Sequence, residues 1–284
     1  MPLTGTGDTV AAAAAAGHAA AAFNIIQIEH AEAVITGAEA ANAPVILQIS
    51  ENAVRYHGAL APLARAALAA GERAGVPVSV HLDHVTDPAL VGEAVELGLH
   101  SVMFDASTLD YADNVKATAD VVARCHAARV WVEAELGEVG GKDGVHAPGV
   151  RTDPVEAAAY VAATGVDALA VAVGTSHAML TRDAELDYGL IGALRRAVPV
   201  PLVLHGSSGV SDPGLVEAVG RGMTKINIST HLNNAFTAAV RDHLAAHPAT
   251  VDPRRYLGAG RAAVATEVTR LLGILRQDRQ DRPA

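Results

Sequence analysis

The sequence predicts an α/β protein, a single (β/α)8 TIM barrel over residues 1–284 with extra N-terminal and C-terminal helices, and three observations carry the prediction. The first is length, since 284 residues suit a barrel that takes about 250 residues as one unit. The second is recurrence: eight short β-prone runs lie at 22–26, 45–50, 78–84, 101–106, 130–136, 168–175, 202–206 and 225–230. The third is what separates them. Ala-rich segments long enough for a helix, such as 29–41, 88–97, 112–127 and 154–164, alternate with the runs, which is the mark of parallel βαβ units. No Pro/Ser-rich linker, change of composition or short internal repeat divides the chain.

Taken in order, the Ala run from Ala11 to Ala22 has the apolarity of a signal-peptide core, but Asp8 precedes it and no Lys or Arg does. It reads instead as a short helix started by Asp8 and closed near Gly17. Strand phase sets the inner face of the barrel. In Trp131-Val132-Glu133-Ala134-Glu135 one alternate set is apolar and small and the other carries two carboxylates, which should point inward. Likewise Ile226 and Ile228 should face the helices and leave Lys225, Asn227 and Ser229 inside. Charged groups inside a barrel are costly unless partnered or functional, and in this fold they belong at the C-terminal mouth.

Composition narrows the function classes. Hydrophobic residues at 50% against 18% charged are enough for a packed core, and the apolar stretches are interrupted well short of the roughly 18 residues a membrane span needs. The formal charge of -10 leaves no global basic field for a nucleic acid, so a phosphorylated ligand must be held locally, by backbone N–H groups or a metal. The lone Cys125 forms no internal disulfide, which fits a reducing cytoplasm and excludes a cysteine-rich metal site.

The strand ends carry the chemistry. His81-Leu82-Asp83-His84 ends the third run, Asp105 the fourth, and Glu133 and Glu135 lie on the fifth; His177 follows the sixth and His205 ends the seventh. Three histidines and several carboxylates at one mouth read as a metal site, with zinc favoured, because neutral imidazoles leave a dipositive ion strongly Lewis-acidic. By pleat parity Asp83 points inward with His81, so His84 reaches a metal only where strand gives way to loop. His205-Gly206-Ser207-Ser208-Gly209 and Asn227-Ile228-Ser229-Thr230 follow the last two strands, where barrels often cradle a phosphate; the same composition also suits ordinary turns. Gly137 to Gly144, with four glycines around acidic residues, suits either a loop that closes over substrate or a plain surface loop.

These residues together resemble class II, zinc-dependent ketose-bisphosphate aldolases. The resemblance rests on His81-Leu82-Asp83-His84, Val132-Glu133-Ala134-Glu135-Leu136-Gly137, Gly174-Thr175-Ser176-His177, Leu204 to Gly209 and Lys225-Ile226-Asn227-Ile228, with matches from Phe23-Asn24 to Asp252-Pro253-Arg254. The short tagatose-bisphosphate type is the nearer of the two main types. The resemblance implies zinc on His84, His177 and His205, with Asp105 and Glu135 as alternative or second-site ligands, and Asp83 as the acid/base serving the aldehyde oxygen. It implies phosphate binding by Gly206, Ser207, Ser208, Asn227, Ser229 and Thr230, and further substrate contacts from Asn24, Ser50, Arg254 and Arg261. It also implies a monovalent cation (Na+ or K+), a homodimer or homotetramer, a phosphorylated sugar as substrate, and no nucleic-acid or membrane partner.

The sequence departs from that pattern in four places. Lys142-Asp143 stands in a shortened loop where the family carries a Glu two positions after Gly-Gly, so Asp143 is the expected C3 proton base and Glu138 its rival. Ala178 stands where Gly is usual, Gln27 where Asn is usual, and the segment from Asn227 to His231 has neither the Asp of fructose-type nor the Ala of tagatose-type enzymes. Two other readings share the metal site: metal-assisted hydrolysis on the same barrel, and a metal-binding relative without aldol chemistry.

Overall fold

The computed structural model describes residues 3–136, 151–176, 179 and 181–276. In chain order it holds α1 (Thr6–Ala15), β1 (Ala20–Asn24), α2 (Ile28–Ala40), β2 (Val45–Ser50), α3 (Glu51–His57), α4 (Ala61–Glu72), β3 (Val78–Val85) and α5 (Pro88–Glu96). Then come β4 (Ser101–Phe104), α6 (Tyr111–Ala127), β5 (Trp131–Leu136), α7 (Pro154–Thr164), β6 (Ala168–Val171) and α8 (Tyr188–Ala197). The last part is β7 (Leu202–Leu204), a 3-10 turn at Ser207–Gly209, α9 (Asp212–Arg221), β8 (Met223–Ile228), α10 (Thr230–Ala246) and α11 (Pro253–Leu275). The eight strands pair in parallel and in sequence order, and β8 closes on β1.

Three helices start on the same local device. Asp87, Asp153 and Asp252 each precede a proline, and each carboxylate accepts from a backbone N–H of the first turn. Proline lacks an N–H that would go unpaired there, and its fixed φ suits the first turn. α1 differs from expectation: it begins at Thr6 with Gly5 at the cap, and Asp8 lies inside the first turn, where its charge still meets the positive helix end. Its closure near Gly17 holds, with Gly17 at φ 73°.

The strand alternation sorts side chains as expected. On β2 and β3, Val45, Leu47, Val78, Val80 and Leu82 join the layer between strands and helices, and each such burial stabilises by about 1.5–3 kcal/mol. Gln48, Ser79, His81 and Asp83, on the other parity, are buried inside the barrel with Glu133, Glu135 and Lys225. Long polar side chains fit there because neighbouring inner positions are small: Ala20, Ala22, Ala168 and Ala170. The opposite end is plugged by α1, whose Val10 packs with Ala20, Ala22, Ile46 and Trp131, and whose Thr6 hydroxyl bonds Ser101 Oγ at 2.6 Å.

Several boundaries differ from those read in the sequence. β1 starts at Ala20 because pairing of Ala20 with Lys225 overrides the weak strand preference of alanine. β6 ends at Val171: Ala172 N–H donates to the Thr152 hydroxyl at 2.8 Å rather than to a neighbouring strand, and Gly174 sits at φ 120°. β4 and β7 stop short of their expected ends, while β8 begins two residues early.

Candidate active site

Asp83, His84 and His205 bring one ligand atom each to within 4.8 Å of one another. They come from the C-terminal ends of β3 and the segment just after β7. Asp83 arrives by pleat parity, but His84 is its immediate neighbour and would face the helices in a regular strand. A register shift between Leu82 and Val85, with His84 at φ 53°, turns it to the same side. The expected change from strand to loop at residue 84 is therefore a bulge within a strand that runs to Val85. A non-glycine residue in that region costs about 1–3 kcal/mol, the kind of strain that persists where a site needs a side chain re-aimed.

Each histidine is oriented by a carboxylate. His84 Nδ1 lies 3.0 Å from Asp105 Oδ2, and Asp105 is itself fixed by the Ser107 hydroxyl at 2.6 Å. His205 is clasped on both sides, Nδ1 to Glu135 Oε2 and Nε2 to Glu133 Oε1, each at 2.9 Å. The two rings meet edge-on with centroids 4.6 Å apart. Asp83 Oδ2 accepts from Gln48 Nε2 at 2.9 Å and lies 3.8 Å from His84 Nε2. Below Asp83, His81 Nδ1 pairs with Ser101 Oγ at 2.7 Å, so polar contacts run along the barrel axis to α1.

The charges follow from these contacts. Burial works against the charged form of Asp83, yet His84, His81 and His205 outweigh it and hold the carboxyl well below the usual range. Burial opposes ionisation of Glu133 as well, but Lys225 at 2.8 Å and His205 bring it down to about 2. For His205 burial disfavours the cation, and the two flanking glutamates still push it up to about 9. Burial, reinforced by the Lys225 ammonium, lowers His81 against the opposing pull of Asp83 and Glu133.

The donor set fits a divalent metal. His84 and His205 offer imidazole nitrogens next to the Asp83 carboxylate, with Asp105 and Glu135 behind them as the carboxylate partners typical of metal-binding imidazoles; His205 Nε2, here on Glu133, would exchange that carboxylate for the ion. The model for class II fructose-bisphosphate aldolases matches residues 4–280 of the chain. The chain belongs to the class II fructose-bisphosphate aldolase family. It is an aldolase, a lyase of carbon–carbon bonds. The YdjI aldolase from Escherichia coli K12 is similar to it over 99% of this chain and 100% of that one, at 31% identity and a TM-score of 0.86. A fructose-bisphosphate aldolase from Campylobacter jejuni shares the fold, with 22% identity, a TM-score of 0.83, and coverage of 96% of this chain and 95% of that one.

The aldolase draws the two sequence-marked loop segments together beside this cluster. Ser207 Oγ donates to the Asn227 carbonyl, and Ser208 Oγ accepts from Ser229 N at 3.2 Å and His231 N at 3.3 Å. Gly206 makes the approach possible: at φ 65°, a Cβ there would stand 2.6 Å from the Ser176 carbonyl oxygen. Thr230 opens α10, so the N–H groups of that helix's first turn lie next to the Ser207–Gly209 turn. Asn24 Oδ1 accepts from Gln48 Nε2 at 3.0 Å, and Ser50, in register with Asp83, caps α3 through Ala53 N. Arg254 and Arg261 are held elsewhere, on Asp252 and on Glu32 of α2, and neither bonds the cluster. His177 and Asp143, with the rival Glu138, lie outside the described residues.

Three residues outside the expected ligand and substrate set take part here: Gln48, and the Glu133–Lys225 pair that the strand phase had already placed inside the barrel. Gln48 has a sequence signal, an amide of inward parity in the otherwise apolar run Val45 to Ile49.

Proposed function

We propose that the aldolase is zinc-dependent and reversibly cleaves a ketose phosphate, fructose- or tagatose-1,6-bisphosphate by preference, to dihydroxyacetone phosphate and an aldehyde such as glyceraldehyde 3-phosphate. His84, His177 and His205 hold the metal, with Asp105 and Glu135 supporting or sharing it. Bound there, the ion supplies Lewis acidity toward the oxygens of the hydroxyketone. Asp83 is the base. Its Oδ1 takes the proton of the C4 hydroxyl as the C3–C4 bond breaks, the C4 oxygen becomes the aldehyde carbonyl, and the bonding pair stays at C3. A loop carboxylate, Asp143, returns a proton to C3 and completes dihydroxyacetone phosphate. Gly206 to Ser208 and Asn227 to Thr230 bind the phosphate through backbone N–H groups and hydroxyls, a local solution suited to a chain of net charge -10. Asn24, Ser50, Arg254 and Arg261 contact the remainder of the sugar phosphate, the arginines from a neighbouring protomer of a homodimer or homotetramer. A monovalent cation accompanies the phosphate, and the enzyme works in the cytoplasm.

The observation that carries this reading is the meeting of Asp83, His84 and His205 within 4.8 Å, beside two loops joined through Ser207 and Ser208. The test is a screen of ketose mono- and bisphosphates with the metal-loaded and chelator-stripped protein, with triose products identified. Metal-dependent release of dihydroxyacetone phosphate is expected. Hydrolysis to inorganic phosphate, or no turnover of any ketose phosphate by metal-loaded protein, would overturn the reading.

A further inference from the structure

We propose that Lys225, buried in β8, is a positioning residue that sets which way the amides of Gln48 and Asn227 face, and through Gln48 holds Asp83 ready to accept a proton. The inference rests on the reading of Asp83 as the acid/base.

An ammonium has three N–H donors and no acceptor. Lys225 is fully buried, and its Nζ meets three oxygens: Glu133 Oε2 at 2.8 Å, Asn227 Oδ1 at 2.8 Å and Gln48 Oε1 at 3.3 Å. Room for its stem comes from β1, where Ala20 lies in register with Lys225 and Ala22 with Asn227. Because the Gln48 carbonyl is committed to Lys225, both Gln48 N–H groups are directed elsewhere, to Asn24 Oδ1 at 3.0 Å and Asp83 Oδ2 at 2.9 Å. Reversing the amide would set NH2 against ammonium and carbonyl against carboxylate. Both contacts would be repulsive in a buried, weakly screened place.

Two groups are thereby left open. Asp83 Oδ1 is buried and accepts no hydrogen bond among the described residues, His81 Nε2 standing 3.8 Å from it, and the Asn227 amide nitrogen is buried with no acceptor there. An unmet buried acceptor and donor are costly in the free protein. A polyhydroxylated ligand answers both, one hydroxyl donating to Asp83 Oδ1 and another oxygen accepting from Asn227. Lys225 thus does two things from one position: it gives Asp83 a donor on one oxygen only, and it keeps Asn227 facing the ligand as a donor.

A purely structural Gln48 would serve to satisfy Lys225, and the two roles predict opposite orders for two variants. Gln48→Glu still accepts from Lys225 but places a carboxylate oxygen against Asp83; Gln48→Met does neither. Steady-state cleavage, metal content and thermal unfolding are measured for the metal-loaded wild type, both variants, Lys225→Met and Asp83→Ala. The proposal expects Gln48→Glu to fold and carry metal as the wild type does, yet to lose about tenfold more kcat than Gln48→Met. Lys225→Met should lower kcat and raise KM together, whereas Gln48→Met lowers kcat alone. If Lys225→Met does not fold, the Gln48 pair decides. Gln48→Glu as active as Gln48→Met, or a folded Lys225→Met with wild-type kcat and KM, overturns the proposal. Asp83→Ala separates the two claims. Wild-type cleavage in it overturns the acid/base reading, while an inactive Asp83→Ala alongside an active Gln48→Glu overturns only the role of Lys225.

Discussion

His84 Nδ1 and Asp105 Oδ2 stand 3.0 Å apart, joining the strained end of β3 to the residue just past β4. The backbone of His84 is in the left-handed region, so its direction depends on what holds the ring. Asp105, fixed in turn by Ser107, is that holder.

Asp105→Ala is therefore expected to weaken metal binding by about 10- to 100-fold while leaving the fold cooperative, as removal of a ligand's carboxylate partner does elsewhere. Competition with a chelator of known affinity, followed by metal analysis, reads this directly. An unchanged affinity would mean that the ring is held by packing alone.

His205→Ala should abolish stoichiometric metal binding and nearly all turnover. It also leaves Glu133 and Glu135 buried without the imidazole between them, so a lower unfolding midpoint accompanies the loss. His205→Gln, which can still donate to a carboxylate, should recover stability better than it recovers metal. Equal recovery of both would argue that His205 is structural.

At Gly206 the added methyl of alanine meets the Ser176 carbonyl at 2.6 Å, and φ is 65°, so two penalties coincide. Gly206→Ala is expected to cost about 2 kcal/mol or more of stability and to raise KM for the phosphorylated substrate. Denaturant unfolding and steady-state kinetics measure the two effects. Neutral behaviour in both would show that the loops after β6 and β7 can separate without consequence.

How far the sequence disclosed this arrangement depends on which interaction set each feature. Alternation of apolar and polar residues is a local property, so it placed Glu133, Glu135, Lys225 and Asn227 inside the barrel, and the recurrence of β-prone runs gave the barrel itself. The start of β1 was hidden because Ala20 and Ala21 have no strand preference of their own and are recruited by pairing with β8. The inward turn of His84 comes from a register shift between β3 and β4, a relation between strands that no single segment encodes. Gln48 formed no part of the expected site: its amide sits in an apolar run, and its partners, 35 and 177 residues away, meet it only when the barrel closes.

On the outer helices, Asp212 meets Arg182 and Arg270, while Glu267 meets Arg270 and His231. Burial opposes ionisation of both carboxylates, but these partners hold both below their ordinary values of 3.8 and 4.5. A depressed carboxyl contributes stability in full above its unfolded value and loses it as pH falls through its folded value. The difference in unfolding midpoint between wild type and Asp212→Asn/Glu267→Gln should therefore be constant near neutrality and shrink below about pH 4.5. A difference that grows on acidification would reverse the sign and refute the network.

The most direct test of the site is Asp83→Ala, assayed for bound metal and for ketose phosphate cleavage on the same preparation. If Asp83 moves the proton and the histidines hold the metal, the variant keeps its metal and loses about 10²- to 10⁴-fold in cleavage. Normal cleavage would contradict the assignment of Asp83, and loss of metal in step with activity would make it a ligand instead.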